Sequence, residues 1–257
     1  MFEETRSDGV FRLFNQEARW LSTGWRGGFS EDDAAYNISV PEGWPRVDIS
    51  EYVESRLDRA GFSEPGPALL TGVDLKHLRA ARSGPAVVYA TSGVSNPAVL
   101  PVNPSGEENH TEGQNGDLKK KEFNRGGHRT GTVNIVVTVD GGLSDGGLTN
   151  LLSVAVEAKT STLLKTTGFP GTTTDAAVVG CTTRDPRENF TSSCTEVGAS
   201  ARACVRDAVK ASLESRYLDV DPPDSLEDAE HGVSTTREAE VYRPVRVLES
   251  KYGFSET

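Results

Sequence analysis

Six of the seven residues from Val133 to Val139 are β-branched, and only Asn134 breaks the series. Such a run reads as a buried strand. It is followed by Asp140-Gly141-Gly142-Leu143-Ser144-Asp145-Gly146-Gly147, then by an uninterrupted helical pattern to about Thr167. The stretch closes on Gly171-Thr172-Thr173-Thr174-Asp175, and a second strand is expected over Asp175 to Cys181. Ser144 or Asp145 can cap the helix. The paired glycines are expected to let backbone approach a ligand closely. The stretch therefore predicts a strand, its helix and the next strand packed as one unit, with polar turns at the strand ends.

Further strands are expected at Gly9 to Phe14, Arg19 to Ser22, Tyr36 to Val40, Ala68 to Val73 and Ala86 to Thr91. Asp48-Ile49-Ser50-Glu51 reads as a helix start, Val53, Leu57 and Ala60 as its buried side, and Gly61 as its stop. A late helix begins at Thr195-Glu196, with Val197, Ala201, Cys204, Val205, Ala208 and Ser212 on one face. Seven strands with three helices predict a single α/β (α+β) domain over residues 1–218, with a mixed central sheet and packed helices. Asn103 to Thr130 is polar and Gly-rich and is expected to be a mobile insertion. From Asp219 the chain holds ten acidic and four basic residues, which predicts a peripheral acidic tail over 219–257.

The net charge of −11 argues against a nucleic-acid partner, because phosphate binding needs a basic footprint. The basic residues are mostly Arg, with Lys rare outside Lys119 to Lys121, a composition suited to high salt. No apolar run is long enough to span a membrane, and Met1-Phe2-Glu3-Glu4 lacks signal-peptide order, so a cytoplasmic protein is expected. Cys181, Cys194 and Cys204, and four scattered histidines, match no metal-ligand spacing, so no metal site is expected. His128 ends the insertion beside the strand run and is a candidate functional histidine.

No P-loop, dinucleotide fingerprint, zinc-protease or serine-hydrolase motif is present, and no Walker lysine follows the glycines of Gly171 to Asp175. The sequence does resemble a family. Leu21-Ser22-Thr23, Gly27-Gly28, Asn37-Ile38-Ser39-Val40, Ala90-Thr91-Ser92-Gly93-Val94-Ser95-Asn96, Gly131-Thr132-Val133-Asn134-Ile135, Glu157-Ala158-Lys159-Thr160, Gly171-Thr172-Thr173-Thr174-Asp175 and Thr195-Glu196-Val197-Gly198 follow one another as in the adenosylcobinamide amidohydrolases. The resemblance covers about Val10 to Leu218. Thr173 stands where the family pattern has glycine, and the insertion before Gly131 is long. The resemblance implies hydrolysis of the amide joining aminopropanol to a corrin ring, with the corrinoid as substrate and no further cofactor. A corrinoid-binding or carrier protein without turnover is the alternative.

Amide hydrolysis needs an activated water or nucleophile, an oxyanion stabiliser and an acid for the leaving amine. Asp175 and Glu157 are the candidate acid and base, paired so that one carboxyl keeps a proton near neutrality. Thr149, Ser153 and Glu157 fall on one helical stripe, which could face a cleft. Thr172, Thr174 and the Gly146 and Gly147 amides are candidate oxyanion donors. Ser22, Thr23, Gly27, Gly28, Asn37, Asn96, Asn134 and Asp145 are candidate substrate-binding residues, with the Ser22 to Gly28 turn as one wall.

Overall fold

In a computed structural model of the chain, the structure describes residues 1–41, 48–102, 131–185, 187–229 and 231–243. The expected insertion, with His128 and its lysines, lies outside the described residues, as does the last stretch of the tail. The elements in order are β1 (Glu3–Ser7), β2 (Val10–Phe14), β3 (Ala18–Ser22), β4 (Gly28–Ser30), β5 (Ala34–Ser39), α1 (Ile49–Ala60), β6 (Ala68–Thr71), β7 (Arg79–Ser83), β8 (Ala86–Ser92), β9 (Ala98–Val99), β10 (Val133–Leu143), α2 (Asp145–Thr167), β11 (Ala176–Thr182), β12 (Arg187–Glu188), α3 (Glu196–Arg216) and β13 (Val233–Ser234). A 3-10 turn at Leu75–His77 precedes β7.

The helix signals hold. Asp48 accepts from the Ser50 and Glu51 amides at the start of α1, and Gly61 ends it at φ 79°. Ser144, rather than Asp145, caps α2 by accepting the Gly147 amide at 3.2 Å. Thr195 caps α3 on the Gly198 amide at 3.1 Å.

The structure is the expected single α+β domain of mixed sheet and packed helices, with its strands divided between two sheets face to face. One has the order β1-β2-β5-β6, and the other β4-β3-β11-β10-β8-β7, with β12 beside β10. Both are mixed: β5 runs parallel to β6 and β10 to β11, whereas β8 and β3 run antiparallel to β10 and β11. β10 shows why. Its Val133, Ile135, Val137 and Val139 pack under α2 and α3, while Val136 packs toward the first sheet with Leu13, Trp20, Leu69 and Val178. A strand covered on both faces has no reason to alternate polar and apolar residues. α1 covers the outer face of the first sheet, through Val53 and Leu57 against Val10, Tyr36 and Ile38. The helix-side core draws on Ala86 to Val94 and on Val133 onward alike, so one domain spans the insertion. No helix among the described residues is long and apolar enough to cross a membrane.

The strand directions create one edge that matters. The chain leaves β3 and β8, and enters β10 and β11, at the same end of the second sheet. α2 starts at the opposite end and runs back. Fifteen residues from Ser144 to Lys159, at about 1.5 Å each, bring it roughly 22 Å toward that edge.

Candidate active site

Asp175 sits at this edge, one residue before β11. One carboxylate oxygen accepts the Val133 amide at 2.9 Å and the Thr172 hydroxyl at 2.5 Å. The other accepts the Thr172 amide at 3.1 Å and the Lys159 ammonium. Lys159 comes from α2, and both side chains are about nine-tenths buried. A buried ion pair survives only when its remaining hydrogen-bonding sites are also filled, and Asp175 meets that condition with three protein donors besides the lysine. Gly171 makes the room: a Cβ there would lie 2.7 Å from the Asp175 carboxylate and 3.5 Å from Lys159 Nζ.

Lys159 is the residue of this edge that the sequence analysis did not single out. The signal was present, since Leu151, Ala155, Lys159 and Leu163 follow one another at four-residue spacing on the buried side of α2. Glu157 is the residue in water. With Thr149 and Ser153 it lies on the exposed side of the helix, and its carboxylate meets Arg202 of α3 at 3.4 Å. It cannot share a proton with Asp175, so the expected acid–base pair of carboxylates does not form.

Around Asp175 stand several of the expected hydroxyls. Thr172 is buried and bonded to it twice. Thr174 is exposed, and its hydroxyl meets that of buried Thr132 at 2.8 Å. Asn96 clasps the turn from the β8 side: its Nδ2 donates to the Thr173 hydroxyl at 2.7 Å, and its carbonyl accepts the Thr173 amide at 3.1 Å. Its Oδ1 is buried without a partner. The clasp gives Thr173 a role where the family pattern has glycine, and Thr173 needs no positive φ to fill it. On the β3 side, Thr23 donates to the Ala177 carbonyl at 3.3 Å and accepts the Ala177 amide at 2.9 Å. The turn that leaves β3 at Ser22 and carries exposed Gly27 and Gly28 thus lies on the β3 side of this edge, and Asn96 on the β8 side.

Other expected residues are elsewhere. Asn134 and Asn37 are fully buried between the two sheets, where Asn134 donates to Asn37 at 3.2 Å and to the Leu70 carbonyl at 3.0 Å. Asn37 donates in turn to Thr91 at 3.1 Å. Asn134 points to the sheet-facing side of β10 and Asp175 to the helix-facing side, so the two asparagines join the sheets and cannot touch a corrin. Ser22 is also buried, accepting the Gly24 amide at 3.0 Å. Asp145 lies at the far end of α2, ion-paired with Arg19 at 2.5 Å. Gly142 and Gly147 admit their own chain rather than a ligand, because a Cβ would strike the Arg184 carbonyl at 1.8 Å or the Glu188 carbonyl at 2.5 Å. The Gly146 and Gly147 amides are therefore no oxyanion donors for this edge. Among the described residues no cluster of three or more His, Cys, Asp or Glu could hold a metal ion.

The sequence profile described as adenosylcobinamide amidohydrolase matches residues 1–219. The chain belongs to this family. A relative from Halobacterium salinarum named adenosylcobinamide amidohydrolase is 49% identical over 246 residues, covering 95% of this chain and all of the relative. One of the same name from Methanosarcina mazei is 27% identical, over 76% of this chain and 90% of its own. Among solved structures, a protein from Pyrococcus horikoshii OT3 is 13% identical over 86% of this chain and 81% of its own, with a TM-score of 0.42. The family match contains every residue of the Lys159–Asp175 edge, and it ends just after α3.

Proposed function

We propose that the chain hydrolyses the amide joining aminopropanol to the corrin ring of adenosylcobinamide, releasing aminopropanol and adenosylcobyric acid in corrinoid salvage. Family membership supports the substrate, and the buried Lys159–Asp175 pair is the observation that carries the site. Asp175, with its acceptor positions filled, holds Lys159 and the Gly171–Asp175 turn in place. The Lys159 ammonium has two N–H groups beyond the one given to Asp175, and in this reading they receive the amide carbonyl at the edge. Water adds to that carbonyl, and the ammonium stabilises the oxygen as it gains charge. The C–N bond then breaks, the amine leaves with a proton, and a carboxylate remains on the corrin. The exposed Thr174 hydroxyl, paired with Thr132, positions the water. Thr23, Gly27 and Gly28 contact the substrate from the β3 flank, while buried Asn96 holds the Thr173 turn from the other.

The protein works in the cytoplasm at high salt, a reading supported by its net charge of −11, its Arg-over-Lys bias and the Halobacterium relative. Incubation with adenosylcobinamide tests the function. Equimolar aminopropanol and adenosylcobyric acid are expected, whereas tight corrinoid binding with no aminopropanol released would identify a carrier.

A further inference from the structure

The acidic segment after α3 lies beyond the family match, and by composition it reads as peripheral. It is nevertheless built into the structure. β13 pairs in parallel with β9, the Val233 amide donating to the Pro97 carbonyl at 2.9 Å and the Thr235 amide to the Val99 carbonyl at 3.0 Å. The His231 amide donates to the Ser95 carbonyl at 3.3 Å. Residues 220–229 lie beside Arg216 and Tyr217, lining with Ser95 an open pocket of about 410 Å³.

The partner of this ribbon is the segment that clasps the site. The Ala98 amide donates to the Gly171 carbonyl at 2.9 Å, Pro97 bridges Thr172 in antiparallel register, and Asn96 holds Thr173 by backbone and side chain. Thr172 is bonded twice to Asp175, and Asp175 holds Lys159. Three extended segments, 233–235, 96–99 and 171–173, thus lie side by side, and the last carries the ion pair. Segment 96–99 has no other strand on its outer side among the described residues. A pairing of only two short segments, 96–98 with 171–173, is marginal in water, and β13 adds a third.

We propose that residues 231–235 are a positioning element of the active centre: the β13–β9 ribbon keeps segment 96–98 against the Gly171–Thr173 turn and so fixes Asp175 and Lys159. The inference rests on the reading that this pair carries the hydrolysis. It makes the acidic extension part of the enzyme's working end.

The test uses two full-length variants. Val233→Pro with Thr235→Pro deletes both ribbon donors, and a second variant replaces residues 231–235 with a Gly-Ser stretch of equal length. Displacement of a catalytic group by about 1 Å costs on the order of a hundredfold in rate. We expect kcat on adenosylcobinamide to fall about ten- to a hundredfold, with KM and the unfolding midpoint little changed. Hydrogen exchange at the Thr172 and Thr173 amides should accelerate while that of β10 does not. Combining either variant with Asn96→Ala should cost no more than the larger single effect, since both act through one clasp. Wild-type kcat in both variants overturns the proposal, as does a lower kcat with unchanged Thr172 and Thr173 exchange, or multiplicative losses in the combination. If the wild-type protein releases no aminopropanol, the proposed function fails, while the exchange measurement still decides whether the ribbon orders the turn.

Discussion

Asp175→Asn separates what the carboxylate does for the fold from what it does for the reaction. The substitution keeps the size of the side chain but removes its charge and one acceptor oxygen. Three protein donors and the Lys159 ammonium then compete for a single carbonyl oxygen, and the new amide group must point at two of them. Lys159 is about nine-tenths buried and is left without its counter-charge. Removing one partner of a buried pair costs about 3–5 kcal/mol. For a domain of this size each kcal/mol lowers the melting temperature by about 2–4 °C, so a drop of roughly 6–20 °C is expected. Thermal denaturation followed by circular dichroism measures it. The double variant Lys159→Met/Asp175→Asn removes the stranded charge and should recover most of the lost stability, since a buried pair replaced as a whole is often neutral. Both variants should turn over adenosylcobinamide more slowly by about two orders of magnitude or more. Melting of Asp175→Asn within about 2 °C of wild type, on the scale just used, or a double variant no more stable than the single one, refutes the reasoning.

Three other outcomes follow from the structure. Gly180 of β11 lies flat under the buried Trp20 ring, and an added Cβ would approach the ring carbons to 2.3 Å; Gly180→Ala should therefore lose about 1–3 kcal/mol in urea unfolding. Burial, together with Lys76 and Arg216, lowers the His77 pKa. A depressed histidine contributes stability above its ordinary value of about 6.5 that is lost as the pH falls below it, so His77→Gln should flatten the loss of stability on that acid side, read from melts across pH. Salt screens the self-repulsion of the −11 charge, so the melting temperature should rise between low and molar potassium chloride, and a fall would contradict the salt adaptation.

What the sequence discloses depends on how locally each feature is determined. The three helices were legible because Asp48, Ser144 and Thr195 cap them and Gly61 stops α1, all within a turn of the helix ends. β10 was legible from its β-branched run, but that run could not disclose which sheet faces it, and the second sheet came from strands far away in the chain. Thr172, Thr174, Asp175 and the Ser22–Gly28 turn could be marked as candidates because polar turns flank buried strands. The partner of Asp175 was not. A single lysine on an apolar helix stripe reads as a side chain that reaches for water, and only the returning direction of α2 brings it to the carboxylate. Glu157 failed for the complementary reason, since a carboxylate among short polar residues marks a solvated helix face as readily as a cleft. Asn37 and Asn134 were assigned to the substrate because buried polar groups between sheets leave no local signature. The ribbon at Val233–Ser234 has too few residues to register as a strand by composition.

The account turns on Lys159 as the group that meets the substrate carbonyl. Loss of a single oxyanion donor costs about a hundred- to a thousandfold in kcat. Turnover of adenosylcobinamide by the Lys159→Met/Asp175→Asn variant, assayed as released aminopropanol beside the wild type and with corrinoid binding confirmed by absorbance, should fall by at least about that factor. Aminopropanol release by this folded, corrinoid-binding variant at a rate close to that of the wild type would contradict the assignment and place the chemistry away from the Lys159–Asp175 edge.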